Sequence, residues 1–252
     1  MDKYALITGA TSGFGKACAE IFARNKWKLI LTGRRNDKLL QIKSELEHNG
    51  IEVHTLCFDI RNVEEVNAAI KSLPDEISKN IDILINNAGL AAGRDAIQHG
   101  NLMDWEQMID TNVKGLLYVS RAIIPSMILN RRGHIFNISS IAGKEVYPDG
   151  NVYCASKHAV DALSQSMRID LVTYGIKVTN VAPGAAKTEF SLVRFKGNED
   201  QAKSVYNGYS PLLANDIAEI IYFAATRPNH VCINDLVVMP TAQATSTIFH
   251  KQ

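Results

Sequence analysis

Residues 4–24 read YALITGATSGFGKACAEIFAR, and their order decides the fold. A short apolar run ends at Thr8. A glycine-rich turn follows, Thr8-Gly9-Ala10-Thr11-Ser12-Gly13-Phe14-Gly15. Beyond it Ala17, Ile21 and Phe22 recur at helical spacing. A strand that is apolar throughout needs cover on both faces. Strand, turn and helix in this order therefore point to a parallel sheet wrapped by helices.

The alternation continues along the chain. Apolar runs rich in Val, Ile and Leu lie at 4–8, 28–32, 53–58, 81–85, 134–138, 177–181 and 236–239. Helical spacing occupies 13–25, 37–48, 63–73, 105–129, 153–174 and 216–226. This is the α/β pattern, with about seven strands. Between 183 and 215 the rhythm breaks into the polar, mixed stretch GAAKTEFSLVRFKGNEDQAKSVYNGYSPLL, where no strand is expected. An insertion after a strand's C-terminal end sits over the ligand crevice of such a fold. Residues 184–214 thus read as a substrate lid on one domain spanning 1–252; the plainer reading is a surface excursion.

Composition narrows the function. The 252 residues carry 27 Lys+Arg against 26 Asp+Glu, a net charge of +1. That excludes bulk electrostatic affinity for nucleic acid or an anionic membrane. Cys18, Cys57, Cys154 and Cys232 are scattered with no CxxC pair and read as reduced core thiols. The histidines are dispersed and HExxH is absent, so no metal site is expected. The opening MDKYALITGA, with an acid at Asp2, does not read as a signal peptide. No stretch approaches the roughly 20 apolar residues of a membrane helix. The expectation is a soluble, cytoplasmic protein acting on a small molecule.

The turn at 8–15 is TGxxxGxG rather than GxGxxG, but the physics is shared. Glycines allow a tight turn and close approach of backbone to a pyrophosphate, and the next helix offers free N–H groups at its positive end. The second strand ends at Thr32-Gly33-Arg34-Arg35. An acid here would accept from a ribose 2′-hydroxyl and repel a 2′-phosphate. Glycine followed by two guanidinium groups argues instead for NADP(H). The plainer reading has Arg34 and Arg35 solvating a loop.

Tyr153-Cys154-Ala155-Ser156-Lys157 sets a tyrosine and a lysine one helical turn apart. A nearby ammonium favours phenolate, so Lys157 is expected to lower the Tyr153 pKa from about 10 towards neutral pH. YxxxK alone is common; its company is not. Ser140 follows the run at 134–138, Asn112 lies in DTNVKG, and Asn86-Asn87-Ala88-Gly89 follows the run at 81–85. These landmarks fall where ligands bind in open α/β sheets.

The TGxxxGxG, NNAG, Ser-Tyr-Lys and PG motifs together resemble the short-chain dehydrogenase/reductase family over essentially the whole chain. The resemblance implies a single Rossmann-type doubly wound parallel sheet and catalysis by Asn112, Ser140, Tyr153 and Lys157. In that family pattern Tyr153 is the proton donor and Ser140 orients the carbonyl. Lys157 binds the nicotinamide ribose and tunes Tyr153, and Asn112 holds a relay water. Asp59 and Ile60 would meet adenine, Asn86 to Gly89 the adenosine side, and Pro183, Gly184 and Thr188 the nicotinamide end. The resemblance also implies a homotetramer, with the helices at 105–129 and 153–174 forming one interface.

The strings NNAGLAAG, TEFSLVRFKGN and MPTAQATSTIFH resemble the NADP-dependent 3-hydroxy acid dehydrogenases, also described as serine or L-allo-threonine dehydrogenases. Sulfoacetaldehyde reductases resemble the same subgroup. A broad carbonyl reductase and a non-catalytic NADP-binding sensor remain open, though a sensor need not keep all four catalytic residues. Arg194, Lys196 and, more weakly, Arg94 could each pair with a substrate anion; Tyr147 and Asn151 could line the pocket. Trp27 and Trp105 read as core or helix-face anchors.

Overall fold

The computed structural model describes residues 3–252; Met1 and Asp2, on which part of the N-terminal reading falls, lie outside the described residues. The chain runs β1 (Tyr4–Ile7), α1 (Gly13–Arg24), β2 (Lys28–Gly33), α2 (Asn36–Glu47), β3 (Val53–Cys57), α3 (Val63–Lys71) and the single turn α4 (Asp75–Ser78). It continues through β4 (Ile81–Asn86), α5 (Leu102–Ile109), α6 (Leu116–Asn130), β5 (Gly133–Ile138), α7 (Asn151–Leu171) and β6 (Ile176–Pro183). Last come β7 (Ala186–Lys187), α8 (Phe190–Arg194), α9 (Glu199–Ser204), β8 (Leu212–Leu213), α10 (Ala214–Ala225) and β9 (Asp235–Val238).

Seven of these strands form one sheet in the order β3-β2-β1-β4-β5-β6-β9. Every neighbouring pair is parallel. The apolar strands are covered as their composition requires. In β1, Ala5 and Ile7 join a core with α1, α2 and α10, while Tyr4 and Leu6 join an opposite core with α3, α6 and α7. Each Leu or Ile so buried contributes about 1.5–3 kcal/mol relative to exposure. Phe22 anchors the first core, edge-on to Trp27 at 5.6 Å and to Tyr222 at 5.2 Å. The strand order reverses between β1 and β4, and that switch point opens a crevice at the strands' C-terminal ends.

The structure departs from the sequence expectations in three places. The helix expected at 105–129 is divided by a π turn, Asp110–Gly115, between α5 and α6. A π turn adds one residue to a helical ladder and barely disturbs the apolar spacing, so periodicity does not register it. The stretch expected to lack strands holds β7 and β8, which pair in parallel through Ala186–Leu212 and Lys187–Leu213. Two-residue strands are too short to show alternation. Of the four cysteines, Cys18 and Cys154 are buried as expected but Cys57 is exposed at the end of β3; all four are free thiols. Among the described residues, no helix is long and apolar enough to cross a membrane.

Candidate active site

The ends of β1, β4, β5 and β6 border a cavity of about 930 Å³, ample for a dinucleotide and a small substrate. Gly9, Thr11, Ser12 and Phe14 line one end. Gly9 turns at φ 64°, a conformation that disfavours side chains. Ser12 sits at the N-cap of α1 without capping it, and the first turn carries no acid. The positive helix end is thus left for an anion. The Thr11 and Ser12 hydroxyls instead accept from Arg35 Nη2 at 2.8 and 2.9 Å.

Arg35 Nη1 pairs with Glu189 at 2.8 Å, and Lys38 Nζ reaches the other carboxylate oxygen at 3.2 Å. Burial alone would raise the Glu189 pKa; the bonds from Arg35 and Lys38 outweigh it and hold the carboxyl below its usual range. Arg34 lines the same rim; its carbonyl accepts from Cys57 Sγ, while its guanidinium makes no hydrogen bond or ion pair among the described residues and acts on Asp59 only through its charge. Gly33 leaves no acid at the end of β2. The glycine cradle, the uncapped helix end and the unpartnered guanidinium form a donor set that fits a dinucleotide with a 2′-phosphate. Asp59 and Ile60 line the adjoining wall. Arg61 chelates the Asp59 carboxylate through Nε at 3.0 Å and Nη2 at 2.6 Å, which holds the Asp59 pKa down.

Three residues expected to touch the cofactor, Thr8, Gly15 and Asn86, are buried behind the cavity wall, and Gly13 is half-buried beside it. Thr8 Oγ1 accepts from the Asn87 and Ala88 amides, each at 2.9 Å, and so braces β1 against β4. A Cβ at Gly13 would come 3.4 Å from Thr188 Cβ, and one at Gly15 only 2.4 Å from the Gly9 oxygen. Gly15 is needed for close backbone approach, whereas Gly13 is needed for its left-handed backbone at φ 52°. Asn86 points into the protein, donating at 2.9 Å to both Ser120 and Asn137, while its Oδ1 has no partner. Asn137 in turn donates to Ser164 at 3.0 Å. Asn87, Ala88 and Gly89 do line the cavity, as do Pro183, Gly184 and Thr188.

Ser140, Tyr153 and Lys157 meet in the cavity. Ser140 Oγ accepts from the Ala142 amide at 3.1 Å. Burial pushes the Tyr153 pKa up, against a smaller lowering by the Ser140 hydroxyl. The expected lowering by Lys157 is not the arrangement found. Lys157 Nζ donates to the Ile138 carbonyl at 2.8 Å and stands 5.9 Å from the Tyr153 ring centroid. Burial instead lowers Lys157 itself to about 8. Asn112, in the π turn, lies outside the cavity wall. Its amide donates to Leu90 O at 2.8 Å and to Ser156 Oγ at 3.0 Å, and its Oδ1 accepts from the Leu90 amide. Both amide hydrogens are engaged, so its side-chain nitrogen has none for a relay water.

The basic candidates separate cleanly. Arg194, on α8, donates to Tyr147 Oη at 2.7 Å and lies 5.3 Å from the Tyr153 ring centroid. Its buried Nε has no partner. Arg94 lines the cavity with its guanidinium 5.9 Å from the Tyr147 ring centroid. Lys196 is paired with Asp104 at 2.8 Å, outside the cavity wall. Asn151 also faces elsewhere, donating to Asp95 O at 2.8 Å. Trp27 and Trp105 pack against core clusters, as expected.

Residues 3–198 match the sequence profile of the family described as short chain dehydrogenase. The chain belongs to that family. It is 46% identical to sulfoacetaldehyde reductase 2 of Chromohalobacter salexigens over 247 residues, 98% of this chain and 97% of the relative. It is 44% identical to the NADP-dependent 3-hydroxy acid dehydrogenase YdfG of Salmonella typhi over 240 residues, 95% of each chain. The solved closed form of serine dehydrogenase complexed with NADP+ superposes with a TM-score of 0.93 at 42% identity, covering 99% of this chain and 100% of that one.

Within this short-chain dehydrogenase the sequence reading missed three residues of note. Phe190 packs its ring 5.6 Å from Tyr153. Gln243, from the C-terminal tail, lines the cavity and accepts from the Ala185 amide at 2.8 Å. Glu189 lies inside the quoted string TEFSLVRFKGN, but nothing in that string ties it to Arg35.

Proposed function

We propose that this chain is an NADP(H)-dependent oxidoreductase acting between a small 3-hydroxy acid or hydroxy amino acid and its 3-oxo form. The 3-hydroxy acid and serine dehydrogenases to which it is similar support that reading. The observation that carries it is Arg194, held between Tyr147 and Tyr153 with a buried, unpartnered Nε. A guanidinium so placed beside the reacting centre suits a substrate carboxylate.

When bound, the coenzyme supplies or accepts the hydride at the reacting carbon. Ser140 and Tyr153 hold the substrate oxygen, where negative charge develops during reduction. Tyr153 donates its proton there and recovers it from solvent. Lys157 would hold the nicotinamide ribose. Asn112 acts as a positioning residue by tying the loop at Leu90 to Ser156 on the catalytic helix. Residues 184–214 serve as the lid of one catalytic domain. The proposal includes a cytoplasmic location, supported by four free thiols. It also includes a homotetramer, supported by exposed Leu129 on α6 and Ile169 on α7.

A second reading, sulfoacetaldehyde reduction, is favoured by two such reductases at 46% and 45% identity. A sulfonate would suit the same guanidinium groups. The deciding experiment is coupled turnover with NADP+ on L-serine, L-allo-threonine, 3-hydroxypropionate and isethionate, and with NADPH on an uncharged ketone. Highest kcat/KM on a carboxylate substrate supports the first reading, isethionate the second. Preference for the uncharged ketone would remove both.

A further inference from the structure

We propose that Glu189 is a coenzyme-specificity residue: its carboxylate occupies the Arg35–Lys38 pair that a 2′-phosphate would take, and fastens the lid there until the phosphate displaces it. The inference rests on the NADP(H) reading above.

Arg35 has no idle nitrogen. Nε and Nη2 donate to Thr11, Nη2 also donates to Ser12, and Nη1 meets Glu189 at 2.8 Å. Lys38 meets the second Glu189 oxygen at 3.2 Å. Carboxylate and phosphate oxygens seek the same guanidinium edge, so the two anions compete for it. The Arg34 guanidinium, which is in no ion pair, needs no such exchange.

The competitor belongs to the lid itself. Glu189 follows Thr188, whose side chain lies against the phosphate loop at Gly13. It immediately precedes α8, which carries Arg194 to the tyrosines. One turn of chain thus joins the adenosine end of the crevice to the substrate end. A dianion on Arg35 and Lys38 frees this turn; a coenzyme lacking the 2′-phosphate leaves it fastened. Both pairs are part-exposed, with side chains 42–46% accessible, so each is weak. Glu189 therefore tunes coenzyme affinity rather than deciding it.

The test is Glu189→Gln, which keeps size and removes the charge. Dissociation constants for NADPH and NADH are measured by coenzyme fluorescence without substrate. NADPH should bind about threefold to tenfold more tightly in the variant, with NADH unchanged within about twofold. Lys38→Met should act oppositely, weakening NADPH by about threefold to tenfold and sparing NADH. Equal shifts for both coenzymes in Glu189→Gln would reveal a merely structural latch and overturn the proposal, as would unchanged NADPH binding. Wild-type protein that binds NADPH and NADH equally would instead overturn the NADP(H) reading itself.

Discussion

The Arg194 guanidinium donates to the Tyr147 hydroxyl at 2.7 Å, which joins α8 to the wall of the central cavity. Arg194→Met keeps much of the stem and removes the fork. Turnover of 3-hydroxypropionate or serine should fall about ten- to a hundredfold in kcat/KM, the worth of a charge-assisted bond. Reduction of an uncharged carbonyl should change little. Equal losses on both substrates would mean that α8 had lost its seat rather than an anion contact.

Tyr153→Phe preserves the ring packed on Phe190 and deletes only the acid. Turnover should drop by about 10²–10⁴-fold, while NADPH titration stays near wild type. Full activity in a folded variant would remove Tyr153 from its role.

The rim arginines should not be equivalent. Wild type is expected to prefer NADP(H) over NAD(H) by at least about tenfold in kcat/KM. Arg34→Ala should erase more of that preference than Arg35→Ala, because the Arg34 guanidinium is in no hydrogen bond or ion pair and Arg35 is already held by Glu189. The reverse ranking, read from the two coenzyme ratios, would contradict this assignment.

Burial holds Lys157 at about 8, below its ordinary 10.5. Above the folded value and below the unfolded one, the unfolded chain carries a proton that the native protein lacks. Stability therefore rises with pH across that window, and the burial penalty is complete below it. Relative to Lys157→Met, the wild type should gain on the order of 3 kcal/mol between those limits. Urea midpoints for both proteins at neutral and alkaline pH measure the gap; a pH-independent gap would contradict the burial argument.

Phe22 is fully buried between Trp27 and Tyr222. Phe22→Ala should cost about 3–5 kcal/mol by chemical denaturation, from lost transfer energy and the cavity left behind. A loss under about 1 kcal/mol would mean that α1 and α10 collapse onto the gap.

Much of the fold was legible because each inner strand is apolar on both faces, as Tyr4 to Ile7 illustrate. That Ser140, Tyr153 and Lys157 line one cavity was legible because Ser140 follows a strand and Tyr153 and Lys157 share a helix face. What escaped was non-local or aperiodic. The Glu189–Arg35 pair spans 154 positions, and no spacing rule links such residues. The π turn around Asn112 hides inside a continuous apolar rhythm. The direction of the Tyr153 shift depends on burial and on where Lys157 Nζ points, neither of which YxxxK encodes. Asn86 was assigned to the wrong side of the wall because the NNAG string gives two adjacent asparagines, and strand alternation sends only one inward.

Asn86 and Asn137 stand opposite each other in the register of β4 and β5. Hydrocarbon strands can slide past one another in two-residue steps and still bury oily faces. An amide cannot: out of alignment, each buried polar group left without a partner costs about 1–3 kcal/mol. The pair therefore works as a vernier for the sheet. It fixes the relative height of the two strand ends, from which the Asn87 turn and the Ser140 hydroxyl take their separation. The spacing of the chemistry is set one layer down, by side chains buried beneath the cavity wall.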